Sequence, residues 1–174
     1  MTRFPKPTTG FAPFYARYIN LVPDDGNLSQ HLAAILIETE AMVANLPPDK
    51  LTYRYAEGKW TMNDILVHLM DAERVFVYRA MRFARTDATN LPGFDENLFV
   101  ENAGANAREV MNILAEFAAQ RAATIAFLNN LDAEAWRQSG TANGAINSVS
   151  GFMCMVYGHH RHHLTVFRER YLGE

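Results

Sequence analysis

Apolar side chains recur every three or four residues in four separate stretches of this chain, which is the spacing of amphipathic helices. The first stretch covers residues 27–46 and ends at Pro47-Pro48, because proline cannot continue a helix. The second begins after Thr61, which forms a capping-box pattern with Asp64, and runs to about Arg85. Both stretches predict helices with one face turned to a core.

The third predicted helix opens near Asn106, where Glu109 completes a second capping pattern, and continues to about Leu128. A break at residues 140–144 precedes the fourth, which has Asn147 or Ser148 as its N-cap and extends to about residue 171. No stretch alternates apolar and polar residues as a strand does. The pattern therefore predicts an all-α fold, a four-helix bundle.

The remaining segments carry other signals. Residues 1–26 are rich in Pro, Thr and Gly with aromatics among them, so we expect an N-terminal aromatic-rich arm packed on a bundle of residues 27–174. Residues 86–97 have turn chemistry and predict a loop.

Small residues at Gly151, Cys154 and Gly158 would let another helix approach the fourth helix closely. That helix could belong to the same chain or to a dimer partner.

Composition narrows the class of protein. With 174 residues, 49% of them hydrophobic, the chain can bury the core of a single domain. Its net charge of −3 and lack of a basic cluster argue against nucleic-acid binding. A single cysteine and no apolar signal segment in residues 1–13 make the cytoplasm the expected compartment. No apolar run reaches the ~18–20 residues that cross a membrane.

Four of the six histidines lie within residues 159–163. His159 and His163 are one helical turn apart on the inward side, so both can ligate one metal ion. The alternative is a helix whose surface happens to be rich in histidine. His160 and His162 fall on the flanks of that face. We expect them to lie next to the metal ligands, at the rim of the site, or on the protein surface.

His68 stands at the edge of the second helix's apolar stripe. It is the candidate for a third ligand, or else a helix-edge histidine bonded to a neighbour, and His31 is expected to be partly buried and hydrogen-bonded. No catalytic acid or base can be assigned. The candidates by residue type are His160, Asp95, Glu96, Asp71 and Tyr157. Asp71 and Glu73 would serve equally well as surface partners of Arg74 or Arg79.

Several motifs together point to a family. They are Gly58-Lys59-Trp60-Thr61, His68-Leu69-Met70-Asp71-Ala72-Glu73-Arg74, Phe94-Asp95-Glu96-Asn97, and Gly158-His159 through His163-Leu164. With them the chain resembles the DinB-like (DinB/YfiT) superfamily over about residues 21–172. The resemblance implies a four-helix bundle, often a homodimer, and a divalent metal held by His68 from the second helix with His159 and His163 from the last.

Three histidine ligands would leave coordination positions open for water or a small-molecule substrate, as in catalytic sites. The metal would be zinc or nickel first, with iron or manganese also possible. Relatives that use low-molecular-weight thiols make an S-transferase or isomerase the first hypothesis. A metal-dependent hydrolase is the second, and a non-catalytic metal-binding or stress-response bundle with a vestigial site is the third.

Two other metal chemistries are disfavoured. Closer relatives often carry Glu after the first histidine of the final pair, where this chain has His160, so the H-E-x-x-H motif of metalloproteases lacks its base. Ferritin-like di-iron sites need Glu-x-x-His pairs, and no glutamate precedes a histidine by three positions.

Overall fold

The computed structural model describes residues 4–174, in which four long helices build the bundle. In chain order the helices are α1 (Ala16–Ile19), α2 (Leu28–Val43), α3 (Pro48–Leu51), α4 (Met62–Ala84), α5 (Glu96–Asn102), α6 (Val110–Asn129), α7 (Ala133–Arg137) and α8 (Val149–Val166). Helix α8 packs against α1, α2 and α4, and α6 packs against α2 and α4. This arrangement confirms the predicted all-α four-helix bundle.

The predicted break at residues 140–144 is a β-hairpin, which the sequence pattern missed. Strands β1 (Ser139–Ala142) and β2 (Ala145–Ser148) pair antiparallel, with Ser139 opposite Ser148. Asn143 and Gly144 turn the chain with positive φ angles of 51° and 73°, as a two-residue hairpin turn of this kind requires. Strands of four residues are too short to show a clear alternating pattern.

The predicted loop at residues 86–97 is correct up to Asp95, whose side chain caps α5. The loop is fastened to the hairpin, because Leu91 donates its N–H to the carbonyl of Thr141 and accepts from the N–H of Asn143. These bonds hold the loop beside the C-terminal half of α4.

The helix caps agree with those predicted from the sequence, with one exception. Thr61 and Asp64 form the predicted capping box, and Ser148 caps α8 by accepting the N–H of Gly151. The prediction that Asn106 opens the third helix is wrong, since α6 begins at Val110. The Asn106 side chain instead accepts a hydrogen bond from the Thr61 hydroxyl and donates one to the Asp64 carboxylate. These bonds connect the turn before α6 to the start of α4.

The N-terminal arm lies on α8 and fills its face of small residues. Phe4 packs edge-on against Trp136 with ring centroids 5.2 Å apart, and Tyr18 is buried. A Cβ added to Gly158 would clash with the carbonyl oxygen of Tyr18. The close neighbour of this face is therefore the chain's own arm. The division into an arm (1–26) and a bundle (27–174) stays a prediction, and residues 1–3 lie outside the described residues.

A buried ion pair crosses the middle of the bundle. Arg121 of α6 and Glu73 of α4 are each about 2% exposed, and the guanidinium Nη2 lies 2.8 Å from the Glu73 carboxylate. Arg121 also donates to the carbonyl of Leu32 in α2 at 2.7 Å. The prediction that Glu73 makes a surface contact is wrong, because its carboxylate faces α6 rather than solvent. Across residues 4–174, no helix combines the length and apolar character needed to span a bilayer.

Candidate metal centre

Three histidines from two helices meet at one point inside the bundle. His68 comes from α4, and His159 and His163 come from adjacent turns of α8. Nε2 of His159 lies 3.1 Å from Nε2 of His68 and 3.1 Å from Nε2 of His163. The three ligand atoms all lie within 4.8 Å of one another. The α8 pair therefore faces inward, and His68 joins it.

Burial keeps these imidazoles neutral. It lowers the pKa of His68 to about 4 and holds the pKa values of His159 and His163 well below the ordinary value for histidine. The neighbouring imidazoles lower the last two further, because a second positive charge in the cluster would be repelled. At neutral pH each ring therefore offers an unprotonated nitrogen, the form that binds a metal.

The cluster fits a divalent ion. Ligands at ~2.0–2.1 Å from one metal are separated from each other by roughly 3.0–3.4 Å. Two of the three separations, from His159 to His68 and from His159 to His163, are 3.1 Å and fall in that range, and the third is below 4.8 Å. Nε2 of His159 faces two other ring nitrogens, and its one lone pair or one proton can serve only one of these contacts well. Nδ1 of His163 is buried and has no hydrogen-bond partner among residues 4–174, so the outer support usual for such ligands is missing there.

His160 is turned away from this cluster into the bundle. Its Nδ1 lies 3.2 Å from Nη2 of Arg121, and its Nε2 lies 2.8 Å from the hydroxyl of Thr39. Arginine can only donate, so Nδ1 accepts and Nε2 carries the proton that it gives to Thr39. The Thr39 hydroxyl in turn donates to the carbonyl of Ile35. Both nitrogens of His160 are thus used, and the expectation of a rim or surface position is wrong for this residue.

A cavity of about 250 Å³ opens beside the three histidines, all of which line it. Its aromatic wall includes Trp60, whose ring centroid lies 4.6 Å from that of His68, and Tyr18, whose centroid lies 5.6 Å from that of His159. The larger cavity of about 630 Å³, near Asp64, does not reach the histidines. Of these two cavities, the smaller one is open to a ligand of the candidate metal.

Polar side chains line the same cavity. Arg79 projects from α4, Arg17 and Tyr15 come from the N-terminal arm, and Glu96 begins α5. Desolvation raises the pKa of Tyr15 above its ordinary value, although the nearby Arg79 opposes the shift, so its hydroxyl stays protonated. His162 also lines the cavity, at the rim where the sequence allowed for it.

Only one of the five acid or base candidates reaches this cavity. Glu96 lines it, whereas Asp71 pairs with Arg74, Asp95 caps α5, and His160 lies in the interior. Tyr157 is buried on the other side of α8, edge-on to His31. His31 itself is bonded to Asp25 and partly buried, as predicted.

Two cavity residues lie outside the predicted site, although the sequence contains a signal for each of them. Trp60 stands within the Gly-Lys-Trp-Thr motif just before α4. Arg79 follows His68 by eleven residues, which is three helical turns and returns to the same side of the helix. The arm residues Tyr15 and Arg17 could not be placed, because only the tertiary fold brings the arm to α8.

Comparison with known proteins agrees with the fold described above. The fold is similar to the solved structure of YfiT from Bacillus subtilis, described as a probable metal-dependent hydrolase with an unusual four-helix bundle topology. The TM-score is 0.74 at 17% identity, over 85% of this chain and 87% of that one. No curated protein matches the sequence. The family profile of the DinB superfamily matches residues 32–167, well over half of the chain. The chain therefore belongs to the DinB superfamily.

Proposed function

We propose that this protein is an enzyme that holds one divalent metal ion on His68, His159 and His163 and acts on a small molecule in the adjoining cavity. The observation that supports this most directly is the convergence of three neutral imidazoles on the wall of an open cavity. Structural zinc sites are usually closed by four protein ligands, whereas catalytic sites keep a position free. Zinc or nickel is the first choice of metal, because imidazole suits both, and iron or manganese is the second.

Hydrolysis is the reaction that the lining residues support best. When bound, such an ion supplies Lewis acidity and lowers the pKa of a coordinated water to about 7. Glu96 contributes the only carboxylate that lines the cavity within residues 4–174, and it would accept the proton of the attacking water. Trp60 and Phe76 would exclude bulk water from the reacting atoms. The description of YfiT as a probable metal-dependent hydrolase is consistent with this choice.

A second candidate is S-transfer or isomerisation with a low-molecular-weight thiol. A further cavity of about 270 Å³ shares Trp60 and His163 with the first one. Two reactants could therefore approach the histidines from two sides, as a transfer reaction needs. A thiol would also be a good metal ligand and would be deprotonated on binding. Lys59, which lines the second cavity, would favour an anionic thiol there.

The first experiment is a measurement of metal content by elemental mass spectrometry on untagged protein purified without added metal. We expect about one equivalent of metal in the wild type, and its loss in His68→Ala and His163→Ala. His31→Ala is the matched control, because His31 is bonded to Asp25 and lies outside the histidine cavity. Undiminished metal in His163→Ala would refute the three-histidine site.

The second experiment separates the reactions. Metal-loaded protein is assayed with activated esters and amides, and then with electrophiles in the presence of small thiols. We expect Glu96→Gln to lower kcat for hydrolysis by at least about 100-fold, whereas Glu101→Gln, on the same helix but outside this cavity, keeps it. Turnover only with a thiol would favour the transferase. Metal without turnover of either kind would favour a non-catalytic bundle with a vestigial site.

The predicted homodimer is a separate matter, and we keep it as a proposal. The small-residue face of α8, where a partner helix was one possibility, is covered by the arm of the same chain. A dimer would therefore have to use another surface. Sedimentation equilibrium distinguishes the two states, with a mass of 19.6 kDa expected for the monomer.

A further inference from the structure

Among residues 4–174, two arginines are almost completely buried, and they differ in one respect. Arg121 is 2% exposed and is bonded to the Glu73 carboxylate. Arg79 is 3% exposed, but it takes part in none of the ion pairs formed among residues 4–174. Arg79 donates from Nη2 to the carbonyl of Pro92 at 2.7 Å, and the Tyr15 hydroxyl lies beside its guanidinium. Within the described part of the chain, Arg79 is therefore a buried cation without a carboxylate partner.

Such an arrangement is unfavourable unless an anion joins it. A buried charge costs free energy when it is not paired, and a guanidinium does not escape by losing its proton. The Pro92 carbonyl and the Tyr15 hydroxyl together occupy at most two of its five N–H groups. The remaining N–H groups of the planar guanidinium fork can bind the two oxygens of a carboxylate or phosphoryl group. Arg79 lines the histidine cavity, so an anion can reach it from there.

The position of Arg79 relative to His68 makes the two ends of the cavity chemically different. Both lie on the same side of α4, three turns apart, which places their Cα atoms about 16 Å from each other. Long side chains on a helix lean toward its N-terminus as a rule, and Arg79 lines the same cavity as His68. The cavity thus has a cationic end at Arg79 and a metal-ligating end at the histidines.

The other charges of the cavity do not neutralise Arg79. Arg17 adds a second positive charge at the mouth, where it stacks on Phe14 at 4.0 Å, and Glu96 adds one negative charge. Glu96 is exposed and makes no ion pair with Arg79 among the residues described. The volume of about 250 Å³ equals that of roughly eight water molecules, at ~30 Å³ each. A ligand of this cavity is therefore small.

We propose that Arg79 anchors the anionic group of the substrate, so that the enzyme acts on a small organic acid whose other end lies toward the histidines. The chemistry recognised is an oxyanion, either a carboxylate or a phosphoryl group. The direction of the substrate rests on the proposed function, since it assumes that the reaction takes place at the histidines. Binding of the anion itself needs only Arg79 and the cavity.

The test compares two molecules of nearly the same shape, benzoate and benzamide, by isothermal titration into the full-length protein. We expect benzoate to bind at least about tenfold more tightly than benzamide, because a charge-assisted contact is lost with the amide. Arg79→Gln should remove this preference. Arg85→Gln is the matched control, since Arg85 is an exposed arginine near the end of the same helix and does not line the cavity. No preference in the wild type, or a preference that survives in Arg79→Gln, would overturn the proposal.

Two further variants separate the possible causes. His163→Ala should lose metal and keep the preference for benzoate over benzamide. Loss of this preference together with the metal would contradict the proposal. Arg79→Lys keeps the charge but not the fork, so benzoate should bind several-fold more weakly and benzamide unchanged. Unaltered benzoate affinity in Arg79→Lys would count against the anchor even if Arg79→Gln does not fold. Displacement of benzoate by inorganic phosphate would extend the site to phosphoryl groups, and no displacement would restrict it to carboxylates.

Discussion

Nε2 of His159 lies 3.1 Å from Nε2 of His68, although 91 positions separate the two residues in the chain. Helices α4 and α8 pack side by side and bring these rings together in the bundle interior. Because burial keeps both rings neutral, their contact lacks the charge repulsion that two imidazolium groups would have. A divalent ion would use both lone pairs at once.

Metal binding should therefore stabilise the folded state. A site that is 100-fold to 1,000-fold above its Kd adds about 2.7–4.1 kcal/mol to the free energy of unfolding. For a chain of this length we expect a rise in Tm of roughly 5–15 °C when zinc is added to the metal-free protein. Differential scanning calorimetry measures the shift. His159→Ala should abolish it, whereas His160→Ala should show a similar shift from a lower starting Tm. A shift that is lost equally in His160→Ala would mean that the ligands are misassigned.

The stability of the metal-free protein should fall as the pH is lowered from about 6.5 to about 4. His68 titrates near 6.5 in an unfolded chain, whereas its pKa in the folded protein is about 4 because of burial. Between these values the unfolded chain binds a proton that the folded state does not, so acid favours unfolding. The contribution of His68 is complete above pH 6.5 and amounts to at most about 3 kcal/mol. Urea unfolding at several pH values should show a weaker slope in His68→Ala, and an equal slope would contradict the prediction.

Removal of one partner from the central ion pair should be costly. Arg121→Met leaves the Glu73 carboxylate buried without its cation, so we expect a loss of about 3–5 kcal/mol in the free energy of unfolding. Arg74→Met, which breaks the solvent-exposed pairs of Arg74 with Asp71 of α4 and with Glu116 of α6, should cost no more than about 1–2 kcal/mol. Urea denaturation measures both. Similar losses in the two variants would show that burial does not raise the cost of removing one partner of the pair.

Gly158 should tolerate no side chain. In Gly158→Ala the new Cβ would clash with the Tyr18 carbonyl oxygen, so α1 has to move away from α8. We expect a loss of about 1–3 kcal/mol, as in other overpacked sites. Gly151→Ala lies on the same helix, and its nearest contact is the Ser148 hydroxyl at 3.1 Å, so it should cost less. Thermal unfolding compares the two. Because Tyr18 lines the histidine cavity, metal affinity should also fall in Gly158→Ala and stay unchanged in Gly151→Ala.

Local sequence determined much of the fold because helices are specified by nearby residues. The three- to four-residue apolar spacing and the Thr61–Asp64 capping box predicted α4 correctly, and Ser148 was one of two caps proposed for α8. The inward position of His159 and His163 follows from helix periodicity alone. The family resemblance extended this pair to His68, which the structure brings into contact with it.

Tertiary structure decided what depends on distant parts of the chain. The sequence could not show that Glu73 would face Arg121, because their pairing follows from how α4 and α6 pack across 48 positions. The same holds for His160, whose partners Thr39 and Arg121 come from α2 and α6. Arg79 differs from Arg121 only in what surrounds it after folding. Periodicity determines which side of a helix a residue occupies, whereas the packing of helices determines whether that side meets a partner, a cavity or solvent.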